Sequence, residues 1–263
     1  MKICVITVTY NAESTVERTL RSVASQALRD EVGIYSAEYS QGRRYEVEHW
    51  VLDGASGDGT VRIVKGYGHV MWKSERDNGI YDAMNKGLAT ASGDYLVFLN
   101  AGDALHDTHT LQHVFDTAEE WLVKDGALPA VIYGQTEWVD EDERFIDMRN
   151  HWAPERLTSR SFLTGMLVCH QAFYARIDLA KRERYDLRWR LSADYDWCIR
   201  VMRLAERMGL RMANTRYILA SYLAEGMTTR HHAKSLRERL HIMARHYGWV
   251  PALWQHFLKV LGL

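Results

Sequence analysis

A tight turn after an apolar run brings together two residues that could hold a cation. Asn100 and Asp103 follow the run Leu96–Leu99, and Gly102 lies between them. A carboxylate and a carboxamide oxygen suit a hard divalent cation. Mg²⁺ or Mn²⁺ usually takes one or two carboxylates, and water and phosphate oxygens complete its shell. The alternative is a turn in which both side chains only hydrogen-bond to nearby backbone. Taken alone, the turn leaves both interpretations open.

A second acidic residue opens a glycine-rich segment. Asp53 ends an apolar run and is followed by Gly54, Gly57 and Gly59. Small residues let the backbone approach a flat ligand, while a carboxylate can accept the N–H of a nucleobase. The segment is not the dinucleotide-binding G-x-G-x-x-G, because no long helix follows it. A glycine-rich surface turn is the alternative.

Strands and helices alternate around these two segments. The β-branched run Lys2–Tyr10 is typical of a buried strand, and Ser14-Thr15-Val16-Glu17 predicts a capping box that opens a helix. The pattern then predicts strands at Glu46–Leu52, Val70–Lys73 and Tyr95–Leu99, and helices at Thr60–Lys65 and Ile80–Ala91. Such alternation predicts an α/β fold, a Rossmann-like, mainly parallel sheet flanked by helices, with ligands at the carboxyl ends of the strands.

The second half of the chain is less regular. The pattern predicts helices at Thr108–Lys124, Asp194–Met208 and Ala233–His246, a strand at Ala130–Tyr133, and a hairpin through Trp138 and Phe145 joined by the acidic turn Asp140–Glu143. We interpret Asp30–Arg44, with Tyr35 and Tyr39, as a surface excursion that could contact a ligand. The chain is predicted to be one domain, 1–263, with two functional halves, 1–105 and 106–230, and a helical tail, 231–263.

Composition and charge narrow the function classes. The 263 residues are 47% hydrophobic and 25% charged, which is typical of a folded protein and excludes a disordered chain. Residues 1–150 carry 14 Lys and Arg against 25 Asp and Glu, whereas residues 151–263 carry 19 against 9. A basic half favours an anionic partner, although solvated surface is the alternative. No nucleic-acid motif appears.

The sequence also predicts where the protein resides. The N-terminus does not resemble a secretory signal, and no apolar run is long enough to span a membrane. Because the three cysteines form no C-x-x-C pair, we expect a reducing, cytoplasmic setting.

Four segments taken together resemble a known enzyme family. The sequences TVTYN, DGASGDGT, SERDNGIYDAMNKG (Ser74–Gly87) and ASGDYLVFLNAGD (Ala91–Asp103) resemble the family 2 glycosyltransferases in order and spacing. The resemblance covers the first 105 residues and is strongest to the branch that builds bacterial capsule, exopolysaccharide and O-antigen. It implies a GT-A fold.

The resemblance also implies a nucleotide-diphospho-sugar donor. Residues 1–105 would then be the nucleotide-sugar-binding half and residues 106–230 the acceptor and catalytic half. Asp53 would then contact the base, by resemblance uracil, and the other implied donor contacts are Thr9, Asn11, Asp77, Asn85, Lys86 and Asn100. Asp103 matches the last position of the family's D-x-D motif and would hold Mn²⁺ or Mg²⁺. Asn100 and Gly102 replace the earlier positions, which leaves one carboxylate for the metal.

Two segments of the second half extend the resemblance. LSADYDW resembles the family's E-D-x-D stretch with Ala193 in place of the glutamate, so Asp194 would be the general base and Asp196 the fallback. A helix-capping carboxylate is the alternative. Cys169-His170-Gln171 resembles a C-H-Q element, which would let His170 and Gln171 contact the acceptor or phosphate. A hydrogen-bonded core histidine is the alternative reading of His170.

The implied activity is inverting transfer of a sugar from a UDP-linked donor to a saccharide hydroxyl, with an acceptor carried on undecaprenyl diphosphate. Alternative functions are a sugar nucleotidyltransferase, which would need a basic glycine-rich loop where Thr9–Ala12 stands, and a non-catalytic nucleotide-sugar sensor. The segment Glu225–Thr229 resembles a family flap, and Arg230 to His232 could contact phosphate. The Trp- and Leu-rich tail Tyr247–Leu263 predicts either peripheral attachment to the inner membrane or docking on the core.

Overall fold

A computed structural model describes residues 1–28, 45–149, 152–224 and 232–260. The predicted excursion Asp30–Arg44 and the segment Glu225–His231 lie outside these residues. In the described part, eight helices are present: α1 Val16–Ala24, α2 Thr60–Lys65, α3 Ile80–Thr90, α4 Thr110–Asp125, α5 Ile177–Ala180, α6 Ala193–Arg207, α7 His232–Tyr247 and α8 Trp249–Val260. Two short 3₁₀ helices cover Ser159–Thr164 and His170–Ala172.

One sheet contains the nine strands of the described part. They are β1 Lys2–Thr9, β2 Glu46–Asp53, β3 Val70–Ser74, β4 Tyr95–Phe98, β5 Ala104–Leu105, β6 Val131–Val139, β7 Phe145–Met148, β8 Phe173–Arg176 and β9 Met212–Leu223. Their order is β3-β2-β1-β4-β8-β6-β9-β5, and β7 pairs with the end of β6. The predicted α/β class is confirmed.

The N-terminal half of the sheet is parallel. β1 lies between β2 and β4, and β2 continues to β3, all in parallel register. The carboxyl ends of these strands therefore meet at one edge, which brings the loops after Thr9, Asp53 and Phe98 together. The C-terminal half is mixed: β6 runs parallel to β9 but antiparallel to β7 and β8.

Burial explains why these segments become central strands. Ile3, Val5 and Ile6 of β1 have no exposed surface, and neither do Leu96 and Val97 of β4. Residues that are apolar on both faces suit a sheet covered by helices on both sides. A smaller cluster on the other face joins Val16 and Leu20 of α1 to Val51 and Val64.

The predicted start of α1 needs a correction. The helix begins at Val16, but no capping box forms, since the Thr15 side chain makes no capping hydrogen bond. The Ala12 carbonyl instead accepts the backbone N–H of Thr15 at 3.0 Å and of Val16 at 2.8 Å. The turn thus caps the helix through backbone, which leaves the side chains of the β1–α1 loop available for other contacts.

The remaining elements follow the expectations in type, with shifted ends. The predicted strand Ala130–Tyr133 continues to Val139 as β6, and the hairpin through the acidic turn forms between β6 and β7. The hydrophobic pattern of the sequence did not predict β5, β8 or the long strand β9. All three cysteines are buried and free, in line with the absence of a predicted disulfide framework. Among the described residues, no helix combines the length and apolar character required to cross a membrane.

Candidate active site

The first cluster of polar side chains lies at the ends of β1 and β2. Asp53 is 4% exposed. Its carboxylate accepts hydrogen bonds from Thr9 Oγ1 at 3.0 Å, Ser74 Oγ at 2.6 Å, the Ser56 backbone N–H at 2.9 Å and the Ser56 hydroxyl. Burial alone would raise the pKa of Asp53, but these hydrogen bonds outweigh it and hold the pKa below its ordinary value. Asp53 is therefore a fixed anion at the edge of the sheet.

The glycine-rich loop after Asp53 closes around this anion. Asn11, in the left-handed region with φ of 47°, accepts the Gly57 N–H through Oδ1 at 2.9 Å. A Cβ on Gly54 would stand 2.6 Å from Asp77 Oδ2, so only glycine lets this carboxylate approach the loop. The structure thus brings Thr9, Asn11, Asp53 and Asp77 together.

A cleft of about 220 Å³ opens beside this cluster, between β2, β3 and α3. Its lining includes Asp53, Lys73, Glu75, Asp77 and Lys86. Lys86 Nζ donates to the Arg76 carbonyl at 2.7 Å and pairs with Glu75 at 3.1 Å. Lys86 therefore lines the same cleft as Asp53.

Asn85 has a contact that the sequence did not suggest. It is 7% exposed, its Nδ2 donates to the Tyr185 carbonyl at 3.0 Å, and its Oδ1 accepts the Tyr185 N–H at 2.8 Å. Both ends of the amide are thus used by one backbone unit. The Tyr185 ring in turn stacks on Tyr81, with centroids 5.6 Å apart. These contacts occupy both polar ends of the buried Asn85 side chain.

The turn Asn100–Asp103 forms the second cluster. Gly102 adopts φ of 100°, and α1 holds the turn through Thr19, whose hydroxyl accepts the Gly102 N–H at 2.9 Å and donates to the Asp103 carbonyl at 2.6 Å. The Asp103 carboxylate accepts Gln171 Nε2 at 2.7 Å and the Leu223 N–H at 3.2 Å. Burial raises the pKa of Asp103 to about 6 in spite of these donors, so the site favours a positive charge beside it.

The third carboxylate stands at the start of α6. Asp194 lies in the first turn of this helix, where the helix dipole stabilises an anion, and its side chain is 15% exposed. Oδ1 accepts the Tyr81 hydroxyl at 3.0 Å, and Oδ2 lies 3.1 Å from His170 Nδ1. Burial acts to raise the pKa of Asp194, but His170 and the charge of Arg239 outweigh it and lower the pKa to about 2. Asp194 is ionised at neutral pH.

Asp196 is excluded as the base. It has no exposed surface, and its carboxylate pairs with Arg200 Nε at 2.7 Å and with His246 Nε2 at 2.7 Å. These contacts tie α6 to α7 inside the protein. The two-residue offset from Asp194 places Asp196 on another side of the helix, where it is buried in the core.

His170 and Gln171 connect the Asn100–Asp103 turn to Asp194. His170 Nε2 lies 3.2 Å from Asn100 Nδ2 and its Nδ1 faces Asp194, while the next residue, Gln171, holds Asp103. With Asn100 Nδ2 as the donor to Nε2, the ring proton lies on Nδ1 and is directed at Asp194. One 3₁₀ turn therefore fixes both carboxylates. His170 is the hydrogen-bonded, 8% exposed histidine of the alternative reading, but its partners are the site residues themselves.

The comparison with protein families decides the identity. The sequence profile described as glycosyl transferase family 2 matches residues 4–182. The chain belongs to glycosyltransferase family 2. An uncharacterized glycosyltransferase of Mycobacterium tuberculosis is 32% identical over 213 residues, which is 80% of this chain and 72% of the relative. The amylovoran biosynthesis glycosyltransferase AmsB of Erwinia amylovora is 26% identical over 67% of this chain and 56% of its own length.

Solved structures confirm the GT-A fold for this family 2 glycosyltransferase. Residues 1–349 of Staphylococcus aureus TarS in complex with UDP superpose with a TM-score of 0.62 at 16% identity, over 93% of this chain and 64% of that chain. The mannosyltransferase PcManGT of Pyrobaculum calidifontis, in complex with GDP-Man and Mn²⁺, gives a TM-score of 0.55 at 16% identity over 96% of this chain and 73% of that chain. The chain thus spans about two thirds of the length of the TarS chain.

The oxygen atoms near Asp103 of this glycosyltransferase suit a hard cation that also binds phosphate oxygens. Among the described residues, no three His, Cys, Asp or Glu side chains are close enough to share a metal. Near Asp103, however, the buried oxygens Asn100 Oδ1 and Gln171 Oε1 have no hydrogen-bond partner. Buried polar atoms are normally paired, and unpaired ones call for a ligand, water or ion. One carboxylate and two amide oxygens match the oxygen-rich, incomplete shell that Mg²⁺ or Mn²⁺ completes with phosphate.

Sequence reasoning missed Arg149. Its Nη1 is buried without a hydrogen-bond partner, and its backbone N–H donates to the Thr136 carbonyl of β6 at 3.2 Å. Burial raises the pKa of the Cys169 thiol, and the positive charge of Arg149 opposes that shift, which places the guanidinium near the residue that precedes His170. Nothing in the local sequence marks Arg149, because only the β6–β7 pairing brings it to the site.

Proposed function

We propose that this family 2 glycosyltransferase catalyses inverting, metal-dependent transfer of one sugar from a UDP-sugar to a hydroxyl of a saccharide acceptor in bacterial surface polysaccharide synthesis. The acceptor in this proposal is carried on undecaprenyl diphosphate. The observation that carries the proposal is the connected set Asp103–Gln171 and Asn100–His170–Asp194, because it joins a cation-binding turn to an ionised base through two consecutive residues.

On the donor side, Asp53 would accept the N–H of the base. Its carboxylate is already fully hydrogen-bonded, but the Ser56 and Ser74 hydroxyls can rotate away, so a base N–H can replace one of them without leaving a buried anion short of donors. Thr9, Asn11, Asp77 and Lys86 would line the same pocket. The UDP complex of TarS, a protein of the same fold, supports a uracil nucleotide here.

On the phosphate side, Asp103, Asn100 and Gln171 would hold Mn²⁺ or Mg²⁺. When bound there, such a cation would offset the negative charge that grows on the leaving diphosphate. We assign Arg149 a second cationic contact to that diphosphate, because a buried guanidinium nitrogen without a partner is satisfied by a phosphate oxygen.

The chemical step is a single displacement. The acceptor oxygen bonds to C1 of the sugar while the bond from C1 to the diphosphate oxygen breaks, and the hydroxyl proton passes to Asp194. Tyr81 and His170 fix the orientation of the Asp194 carboxylate, and the products are the elongated saccharide and a nucleoside diphosphate. Inversion at C1 follows because no protein nucleophile intervenes.

A donor screen tests the proposal. Purified protein is incubated with UDP-, GDP- and dTDP-sugars and with Mn²⁺, Mg²⁺ or a chelator, with and without prenyl-diphosphate-linked saccharides, and the release of nucleoside diphosphate is followed. We expect one UDP-sugar to give metal-dependent release that increases with acceptor. Release from no donor with either metal would contradict the proposal.

The variant Asp194→Asn separates the enzyme from a non-catalytic sensor. It removes the base without changing its size, so transfer falls by roughly 10²- to 10⁴-fold while UDP binding stays intact. The matched control is Asp178→Asn, an exposed carboxylate on α5 that pairs with Arg176. Unchanged transfer by the Asp194 variant would refute the assigned role.

A further inference from the structure

The last helix presents an apolar surface that nothing in the described structure covers. Five residues of α8 are each more than half exposed: Trp249, Val250, Leu253, Trp254 and Phe257. Their spacing places them on one side of the helix. We call this set the apolar ridge. The opposite side packs inward, since Ala252 is fully buried and belongs to the main core. Docking on the core therefore uses one face of α8 and leaves the aromatic face free.

A basic face adjoins the apolar ridge. The exposed residues Lys234, Arg237, His241 and Arg245 recur along α7 at intervals of three and four, so they share one side of that helix. We call them the basic stripe. The His241 ring meets the Trp249 ring edge-on with centroids 5.7 Å apart, which shows that stripe and ridge are in contact.

Two acidic residues lie near the basic stripe, and neither pairs with Lys234 or Arg237. Glu238 accepts the backbone N–H groups of Arg190 at 3.0 Å and Leu191 at 2.8 Å, so it faces the protein. Asp186 pairs with Arg188 and, at 3.1 Å, with Arg245, which partly neutralises one end of the stripe. The outer part of the stripe remains cationic at Lys234 and Arg237.

We propose that the apolar ridge and the basic stripe form one docking surface for an anionic lipid bilayer. Tryptophan, phenylalanine and leucine side chains enter the boundary between headgroups and acyl chains, while neighbouring cations attract anionic headgroups. The charge pattern favours lipid over a second copy of the chain. In a two-fold contact through the ridge, the adjoining stripes of both copies would meet as like charges.

This inference is independent of the donor chemistry, because lipid binding requires neither nucleotide nor metal. It deepens the proposed function in one respect: a bilayer-bound enzyme meets a prenyl-linked acceptor in the plane where that acceptor resides. Binding to lipid and transfer of sugar are measured separately, so failure of one does not imply failure of the other.

Vesicle co-sedimentation tests the proposal with the whole chain. Vesicles of pure phosphatidylcholine are compared with vesicles of equal parts phosphatidylcholine and phosphatidylglycerol. We expect binding to the anionic vesicles that weakens as salt is added. The ridge variant Leu253→Ser/Trp254→Ser should lower the partition coefficient at least about tenfold, because each buried large apolar side chain is worth that factor or more. The stripe variant Lys234→Gln/Arg237→Gln should abolish the preference for anionic lipid.

The matched control is Val123→Ser, since Val123 is 57% exposed on α4 and belongs to neither surface. It should bind vesicles as the wild type does, and circular dichroism and thermal melts should show that all variants fold. Wild-type protein that stays in the supernatant with both vesicles would overturn the proposal. So would a ridge variant that sediments like wild type. Dimerisation in gel filtration that the ridge variant abolishes, without vesicle binding, would identify a second copy as the occupant instead.

Discussion

The contact between His170 and Asp194 sets the protonation of the base, and it can be tested atom by atom. Asp194 has a pKa of about 2 against an ordinary value of 3.8, a difference of about 2 kcal/mol in favour of the anion. Burial acts in the opposite direction, so removal of the His170 donor should raise the pKa of Asp194 above its ordinary value. The acid limb of the transfer reaction should then appear at a measurable pH.

Two amide substitutions separate the two ring nitrogens of His170. In His170→Asn the amide reaches about as far as Nδ1 and can still donate to Asp194, whereas in His170→Gln it reaches the position of Nε2 and keeps only the Asn100 side. We expect the acid limb of kcat/KM to move up by roughly two pH units in the glutamine variant and to stay near the wild-type value in the asparagine variant. At neutral pH the glutamine variant should also lose roughly ten- to hundredfold in kcat, the value of a hydrogen bond to a charged group.

The assay is the pH profile of transfer with the donor and acceptor found by the screen. His109→Gln is the control, because His109 is exposed at the start of α4 and should leave the profile unchanged. An acid limb that shifts equally in both His170 variants, or in neither, would refute the role of Nδ1 in holding Asp194 ionised.

Three further predictions follow from other contacts. Gly54→Ala should raise the KM for the UDP-sugar about tenfold, because the added Cβ would stand 2.6 Å from Asp77 Oδ2. The control Gly57→Ala should leave the KM unchanged, because no atom lies within 4 Å of its added Cβ. Equal effects of the two substitutions on the KM would contradict this account. Arg149→Met should weaken UDP binding, measured by calorimetry, roughly tenfold or more. Arg149→Lys should restore part of the affinity for UDP, and the control Arg144→Met, at an exposed arginine, should leave that affinity unchanged. Asp196→Asn should cost about 3–5 kcal/mol of unfolding free energy in urea at pH 7. His246 and Arg200 outweigh burial and hold the Asp196 pKa below its ordinary value, so this contribution exists above about pH 4 and disappears as pH falls through the lower folded value; a constant difference down to acid pH would argue against it.

The local sequence predicted the fold of residues 1–105 because the signals in this part of the chain are local. An apolar run such as Lys2–Tyr10 has few alternatives to a buried strand, and the parallel order of β1, β2 and β4 then brings Asp53 and the Asn100–Asp103 turn to one edge. The capping box failed for a physical reason, since the chain enters the helix through a backbone turn in which the Ala12 carbonyl accepts the N–H groups of Thr15 and Val16, and side-chain spacing does not reveal this geometry.

The fold of the chain beyond residue 105 was less predictable because its decisive contacts are long-range. Nothing near Asn85 in the sequence points to the backbone of Tyr185, one hundred residues away. β9 was missed although it delivers the Leu223 N–H to Asp103. The resemblance proposed Asp194 as the base, but it did not indicate the hydrogen-bond partners of Asp194, because Tyr81 and His170 reach it from separate elements. The roles of these residues remain predictions for the experiments above.

The single 3₁₀ turn at His170 and Gln171 limits how this enzyme can be recombined with its relatives. A hybrid in which the chain beyond residue 105 comes from a relative with another acceptor preference would also lose the residues that hydrogen-bond to Asn100 and Asp103. A hybrid of that kind should fold yet turn over poorly unless the incoming half presents the same histidine–glutamine pair in the same place. Substitutions intended to change the acceptor are therefore best confined to segments outside this turn, and His170 and Gln171 should be retained.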